Sequence, residues 1–283
     1  MTPLSELAPR SRAVGLAKAA LVRGQVLAGA FRGSATRPGL RILYYHRVSA
    51  DRDPLAVTPD AFRRQMDAIA ETGQRVVDLY EIDDLQLGPG EAAYALTFDD
   101  GYRDVLENAL PVMREHGFPS TVFVVPGAIA GETAFSWYPA GAMPPIAGWH
   151  ELRAEERAGL VHFEPHTLTH RVLTELTTME ARKEIAGSME VVARELGRPA
   201  RVFCYPAGYF SQREIQLTRE CGLRAALTCE FGANRMPFDR YEMRRTIVER
   251  SDPLWLFRAR LAGAADSAPP GRRSRRVDDH IAA

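Results

Sequence analysis

The chain alternates between short apolar runs and longer segments in which apolar residues recur every three or four positions. The run at residues 94–98 is apolar and β-prone and leaves no solvated face, which predicts a buried strand. Similar runs predict further strands at residues 41–45, 75–79, 120–125, 161–163, 201–205, 224–228 and 245–248. Strands that alternate with helices in this way are typical of a parallel α/β fold.

Helices are predicted between these strands by capping signals and by one-sided apolar spacing. Thr177 with Glu180 forms a capping box, and Ser211 with Glu214 forms a second one. The helices are expected near residues 59–72, 106–116, 178–196 and 212–221. A final helix is expected to open at Asp252 and Pro253 and to carry Leu254, Phe257 and Leu261. Seven or eight strand–helix units in 283 residues favour a (β/α) barrel over an open, doubly wound sheet.

Polar side chains follow several of the predicted strands at the point where each strand ends. His46 follows the first strand, Asp99 and Asp100 follow the strand at 94–98, and Tyr205 closes a later one. Because the carboxyl ends of parallel strands lie on one face, where such folds place their chemistry, these side chains are expected on a common rim. The strand at 161–163 leads to the same rim with two histidines, His166 and His170.

The adjacent carboxylates Asp99 and Asp100 indicate a metal or acid–base site. Two carboxylates directly after a buried strand repel each other and are costly to desolvate unless a cation or a shared proton relieves them. Gly101 supplies the tight turn that directs them. The alternative is that one of the two aspartates only caps the next helix.

His166 and His170 are four residues apart, so in a helical turn both imidazoles would point the same way. Together with Asp100 they would form a three-ligand site for a divalent metal, with positions left open for water and substrate, as in catalytic sites. Asp99 would then be free to act as a general base. Taken alone, two histidines at this spacing are more often surface residues than metal ligands; the aspartate pair on the same rim favours the ligand interpretation.

Composition removes several other classes of function. The chain has 36 basic and 36 acidic residues and a formal net charge of +0, so no global field attracts it to nucleic acid. The three cysteines form neither a disulfide framework nor a CxxC pair, which favours a reducing compartment. Nucleotide-binding GxGxxG and GxxxxGK[ST] patterns and the GxSxG pattern of serine hydrolases are absent from the sequence.

The two ends of the chain differ from the middle. Residues 1–39 are expected to be an amphipathic extension, because Lys18 and Arg23 interrupt an apolar stretch that otherwise resembles a secretory signal. Its basic part at residues 10–32 could rest on a membrane surface, or pack against the domain or a partner. Residues 263–283 are rich in Pro, Gly and Arg and predict a disordered tail. A catalytic domain at 40–262 and a location in the cytoplasm or at the inner membrane are expected.

Five ordered segments resemble the polysaccharide deacetylase family, the NodB-like carbohydrate esterases of family 4: YYHR at 44–47, TFDDG at 97–101, HTLTH at 166–170, RVFCYPAG at 201–208 and RRTIVERSD at 244–252. The resemblance implies a distorted (β/α) barrel and a divalent metal, zinc above all, with cobalt or nickel as alternatives. It also implies hydrolysis of N-acetyl groups, less often O-acetyl groups, on an amino-sugar glycan or its precursor.

The resemblance also assigns roles to individual residues. Asp99 matches the general base, and the metal ligands match Asp100, His166 and His170. Arg201 matches the arginine that orients the base. The backbone N–H of Tyr205 matches the group that binds the oxyanion.

Substrate contacts are expected at the same rim. They are assigned to Tyr205, to Pro206 and to Trp149, which with Trp137 could stack on a sugar ring; both tryptophans could instead be core residues. Arg244 and Arg245 could bind an acidic group of the substrate or pair with the aspartates.

The chain departs from the family pattern at the general acid. Many members carry a late Leu-x-His motif, whereas the only histidine here after His170 is His280, in the predicted tail. His46 is therefore the hypothesised acid, and the alternative is a core histidine satisfied by backbone. Two other functions remain open: hydrolysis of a different non-peptide C–N bond, and carbohydrate binding without catalysis.

Overall fold

The computed structural model describes residues 36–264 and residue 266. Most of the predicted extension at 1–39, the predicted membrane contact at 10–32 and most of the predicted tail at 263–283 lie outside the described residues. Within the described part, no helix is both long and apolar enough to span a bilayer.

The described chain contains ten strands. They are β1 Gly39–Tyr45, β2 Arg47–Val48, β3 Ala56–Val57, β4 Arg75–Val76, β5 Ala92–Phe98, β6 Ser120–Val124, β7 Val161–Pro165, β8 Val202–Cys204, β9 Ala225–Leu227 and β10 Arg245–Ile247. Every ladder between these strands is parallel. The predicted α/β class is therefore confirmed.

Seven α-helices lie among the described residues. They are α1 Pro59–Glu71, α2 Leu110–His116, α3 Pro126–Ile129, α4 Trp149–Ala158, α5 Thr178–Leu196, α6 Gln212–Glu220 and α7 Leu254–Leu261. A π-helical turn at Val105–Ala109 precedes α2, and 3₁₀ turns occupy Leu79–Asp84, Leu173–Glu175 and Pro206–Gly208. The predicted capping box of α5 is present, since Thr177 and Glu180 each accept the other's backbone N–H.

The main sheet has the strand order β10–β1–β5–β6–β7, with β4 paired to the first half of β5. Every residue of β1 and β5 is buried, as expected for strands covered on both faces. The strands β8 and β9 form a separate two-stranded ladder. The ladders of the described residues thus leave a closed barrel unconfirmed.

A buried side chain joins the two sheets between β7 and β8. The Glu164 carboxylate accepts the backbone N–H groups of Arg201 and Val202 at 2.7 and 2.8 Å and pairs with Arg198 at 2.6 Å. Burial raises the pKa of Glu164, and Arg198 partly opposes that rise. This carboxylate accepts the backbone N–H groups at the start of β8, which would otherwise need a neighbouring strand as their acceptor.

The ordered chain continues past the predicted domain end at residue 262. Asp266 is paired with the buried Arg41 at 2.6 Å, and the same guanidinium donates to the Arg37 carbonyl at 2.6 Å. The predicted domain bounds at 40–262 and the predicted tail at 263–283 stay predictions.

Candidate active site

The polar residues predicted to share a rim do meet at the carboxyl ends of the strands. Asp100 follows β5 and His166 follows β7. Together with His170, they offer ligand atoms that all lie within 4.8 Å of one another. The structure therefore brings together the three residues predicted to bind a metal.

The distances within this triad suit one cation. Asp100 Oδ1 lies 3.5 Å from His170 Nε2 and 3.9 Å from His166 Nε2. A tetrahedral ion about 2.1 Å from each ligand atom would separate those atoms by about 3.4 Å, so only small adjustments would be needed.

Asp100 is the residue whose surroundings most clearly favour a bound cation. Its side chain is buried, and among the described residues neither carboxylate oxygen has a hydrogen-bond partner. An isolated buried carboxylate is costly unless it is protonated or binds a cation. Burial, followed by repulsion from Asp99, raises the pKa of Asp100 well above its usual range. The donor set thus fits a divalent metal ion.

Both histidines have lowered pKa values, which favour the neutral imidazole that can bind a metal ion. Nδ1 of His166 lies 2.7 Å from the Cys204 carbonyl, so it donates its N–H there and leaves the Nε2 lone pair free. Burial lowers the pKa of His166 to about 4, against an opposing effect of Asp99. Burial, reinforced by His166, lowers the pKa of His170 to about 3.

The backbone that carries the triad is strained. Asp100, Thr167 and His170 have φ angles of 75°, 63° and 60°, in the left-handed region that such residues rarely adopt. Residues 166–170 are a loop, so the expected helical turn is wrong. The two imidazoles converge because of this loop conformation, with the rings 4.8 Å apart and 76° from parallel.

Asp99 is held by a buried arginine. Arg245 Nη1 and Nη2 donate to the two Asp99 oxygens at 2.7 and 2.8 Å. Burial alone would raise the pKa of Asp99, but Arg245 outweighs it and lowers that pKa to about 2. Asp99 is therefore a carboxylate of fixed orientation.

The assignment of Arg201 as the arginine that orients Asp99 is wrong in this structure. The Arg201 guanidinium lies over the Tyr80 ring, 4.3 Å from its centroid, and donates to the Tyr80 carbonyl at 3.3 Å. Arg245 reaches Asp99 because β10 lies beside β1. Arg245 lies in the RRTIVERSD segment, and its pairing with the aspartates was one of the two alternatives that the sequence left open.

The expected oxyanion role of the Tyr205 amide is not supported. Its N–H donates to the Leu227 carbonyl at 3.1 Å and so extends the β8–β9 ladder. The side chain is fully buried, stacks on Phe210 and donates from its hydroxyl to the Tyr241 carbonyl. Pro206 is also buried, at the start of a 3₁₀ turn.

His46 lies on the same rim, next to the aspartate pair. Burial lowers the pKa of His46, and Asp99 is the strongest opposing influence. The imidazole packs edge-on against Tyr44 at 5.8 Å. Its role as general acid stays a prediction.

An aromatic wall stands beside the triad. Trp137 lies 5.0 Å from His170 and stacks on Phe135 at 4.6 Å, while 43% of its surface remains exposed. Trp149 is instead the first residue of α4, an unpredicted helix, and packs half-buried against the main core. A substrate contact from Trp149 stays a prediction.

A second group of potential ligands is a poor metal site. Asp99, His166 and Cys204 also lie within 4.8 Å of one another. However, Arg245 already neutralises Asp99, and its Nη2 is 3.0 Å from Cys204 Sγ. A cation there would face a buried guanidinium, which electrostatic repulsion disfavours.

Comparison with known proteins identifies the family. Residues 87–226 match the family model described as polysaccharide deacetylase. The Bacillus subtilis (strain 168) protein YxkH, whose name places it among polysaccharide deacetylases, is 25% identical over 217 residues, which cover 74% of this chain and 71% of YxkH. The chain belongs to the polysaccharide deacetylase family.

Two further similarities bear on the fold and on the branch of the family. The solved structure of IcaB from Ammonifex degensii is 26% identical, with a TM-score of 0.68 over 81% of this chain and 98% of IcaB. A poly-β-1,6-N-acetyl-D-glucosamine N-deacetylase of Staphylococcus aureus (strain MRSA252) is 22% identical over 143 residues. That match covers 48% of this chain and less than half, 47%, of the relative.

Proposed function

We propose that this protein removes N-acetyl groups from N-acetylglucosamine residues of a polysaccharide, with a divalent cation bound by Asp100, His166 and His170. The observation that carries the proposal is the buried, unpartnered Asp100 carboxylate facing two imidazole nitrogens. Zinc is the proposed ion because it accepts mixed nitrogen and oxygen ligands and leaves a coordination position open in catalytic sites. Cobalt and nickel suit the same donors.

A bound cation would polarise the acetyl carbonyl and make water a better nucleophile. Asp99 contributes as the base that accepts a proton from the attacking water. The low pKa keeps Asp99 ionised but makes it a weak base, so its contribution depends on the position that Arg245 imposes.

His46 is the proposed donor of a proton to the departing amine. It lies beside Asp99 at the end of β1, and its lowered pKa makes the protonated imidazole a stronger acid. The same low pKa reduces the fraction of His46 that carries the proton at neutral pH. The role is therefore tested below by substitution.

A glycan substrate is supported by two independent observations. Trp137 offers an exposed aromatic surface next to His170, and flat aromatic rings pack well on the apolar face of a pyranose. The Staphylococcus aureus relative is named for its action on poly-β-1,6-N-acetyl-D-glucosamine. We therefore propose a polymer of N-acetylglucosamine as the substrate class.

The test is acetate release from β-1,6-linked N-acetylglucosamine oligomers, measured with metal content on the same purified sample. We expect the parent chain to release acetate and Asp99→Asn to bind metal and oligomer but release far less. An inactive parent chain that nevertheless binds the oligomer would refute the proposal and favour a carbohydrate-binding pseudoenzyme.

A further inference from the structure

Trp137 combines exposure with tight anchoring. Although 43% of its surface is accessible, the ring stacks nearly parallel on the buried Phe135, at 5° and 4.6 Å. An exposed tryptophan on a loop is ordinarily mobile, and ordering it at the moment of binding costs free energy. The contacts of its neighbour Tyr138 show how this loop is tied down.

Tyr138 connects the aromatic loop to the segment after β1. Its hydroxyl donates to Asp53 Oδ2 at 2.6 Å, and Arg47 Nη1 donates to the same oxygen at 2.7 Å. We call Arg47, Asp53 and Tyr138 the latch. Asp53 and Tyr138 are 85 positions apart in the sequence, so this is a tertiary contact between two separate walls of the site.

Arg47 anchors the latch to both sides of the proposed catalytic centre. It is almost fully buried and directly follows His46 in the chain. Its Nε donates to Asp104 Oδ2 at 2.8 Å, in the segment that follows the catalytic aspartates. One guanidinium thus fixes the latch relative to the aspartate loop and to His46.

Tyr138→Phe would remove the hydrogen bond to Asp53 and keep the aromatic ring. Burial, together with the bond to Asp53, raises the pKa of Tyr138 to about 12, so the phenol keeps its proton and donates it to the carboxylate. Bonds from a hydroxyl to a charged acceptor are stronger than neutral ones. The ring also packs edge-on against Tyr102 at 6.3 Å, and the Tyr102 hydroxyl opposes the rise in the pKa of Tyr138.

We propose that Tyr138 and Asp53 are positioning residues that hold Trp137 as a preformed platform for a sugar ring. The inference rests on the proposed function, because it assigns the platform to the same substrate. Neither residue is one of the three metal ligands, and Tyr138 is linked to Asp100 through Tyr102. The latch is therefore expected to act mainly through Trp137, on substrate binding. Breaking it should weaken oligomer binding while the chemical step is kept.

The experiment follows Trp137 directly. The chain has three tryptophans, so Trp149→Phe/Trp255→Phe leaves Trp137 as the only one. In that background, Tyr138→Phe and Asp53→Asn each break the latch. Tyr241→Phe is the matched control, since it deletes a tyrosine hydroxyl bonded to the Leu223 carbonyl at 2.8 Å, outside the latch. The zinc-loaded chains are compared by Trp137 fluorescence anisotropy and by deacetylation of a β-1,6-linked N-acetylglucosamine pentamer.

We expect Tyr138→Phe and Asp53→Asn to lower the anisotropy and to raise KM about 3- to 10-fold, with kcat changed less than about twofold. Tyr241→Phe should change neither quantity. Unchanged anisotropy and KM in Tyr138→Phe would contradict the proposal that the latch positions Trp137.

Failure of the proposed function would be distinguishable from failure of the latch. If the unsubstituted chain, with all three tryptophans in place, releases no acetate, the proposed function is refuted, and pentamer affinity is then taken from quenching of Trp137 fluorescence in the background chain. A loss of anisotropy and affinity in Tyr138→Phe would still support the latch. Trp137 fluorescence that does not change when the pentamer is added would contradict the proposal that Trp137 binds a sugar ring.

Discussion

Arg245 and Asp99 form a buried, two-point ion pair, with 2.7 Å between Nη1 and Oδ1 and 2.8 Å between Nη2 and Oδ2. The arginine is itself fixed, because Nε donates to the Thr228 carbonyl at 2.8 Å and the guanidinium lies over the Tyr44 ring. The pair therefore determines both the direction and the charge of the proposed base.

Substitution of Arg245 should move the acid limb of the pH–rate profile. Arg245→Lys keeps the positive charge but cannot donate two parallel bonds, so the pKa of Asp99 should rise from about 2. Since Asp99, the proposed base, could accept a proton only when ionised, kcat/KM at saturating metal should begin to fall at a higher pH than in the parent chain. Arg244→Lys, at a half-exposed neighbour, is the control. An acid limb identical to that of the parent would contradict the assignment.

Metal binding should release a proton from Asp100 and none from the histidines. Burial holds the pKa of His166 at about 4 and that of His170 at about 3, so both are already neutral at about pH 6. Asp100, with its raised pKa, must lose its proton to ligate. Below that pKa, zinc affinity should fall about tenfold per pH unit, with about one proton released.

Calorimetric zinc titrations in two buffers with different heats of ionisation would count these protons. Release of two or more protons, starting near the ordinary histidine pKa, would show that His166 and His170 titrate normally and would contradict the neutral-ligand account.

The loop that carries the histidines depends on Gly127. A Cβ at this position would lie 2.9 Å from the Leu168 carbonyl oxygen, which already accepts the Gly127 N–H at 2.8 Å. Gly127→Ala should therefore displace the loop, destabilise the fold by about 1–3 kcal/mol and weaken zinc binding. Urea unfolding and zinc titration of the variant measure both effects.

Gly187→Ala is a matched control on the other side of the same residue. Its Cβ would meet the Leu168 side chain at 3.4 Å, an ordinary contact, and Gly187 lies inside α5. It should leave zinc affinity unchanged and stabilise the helix by about 0.5–1 kcal/mol. Equal zinc affinities in the two variants would show that the Leu168 contact does not position His166 and His170.

His46 is tested by separating turnover from metal binding. His46→Gln keeps a polar side chain of similar reach but cannot donate an acidic proton, so kcat should fall roughly 10²- to 10⁴-fold while zinc content stays at the parent value. Normal turnover in this variant would remove His46 from the mechanism and leave it as a core histidine.

Most of the strands could be predicted because a parallel sheet buries both faces. The apolar runs at 41–45 and 94–98 correspond to β1 and β5, which are buried along their whole length. The helix α4 escaped prediction because Leu152 is its only buried residue, so its apolar periodicity is weak. The strands β7 and β8 are joined through the Glu164 side chain, and no local sequence pattern reveals this contact.

The convergence of Asp100, His166 and His170 could be predicted from residue type and from position after a strand. The partner of Asp99 could not, because it depends on which strand lies beside β1. Arg245 is 146 residues away from Asp99 and meets it only through the pairing of β10 with β1. Likewise, the Tyr205 amide is occupied because β8 pairs with β9, a relationship between strands that the motif itself does not encode.

Asp100, His166 and His170 are proposed to hold the ion on which deacetylation by this chain depends. The most direct measurement is acetate release from β-1,6-linked N-acetylglucosamine oligomers by chelator-treated protein as zinc is added back. Activity should be lost on chelation and should return to a plateau at about one zinc per chain, and Asp100→Asn should restore almost none. Acetate release that survives chelation, or that Asp100→Asn recovers fully at the same zinc level, would contradict the proposed metal site.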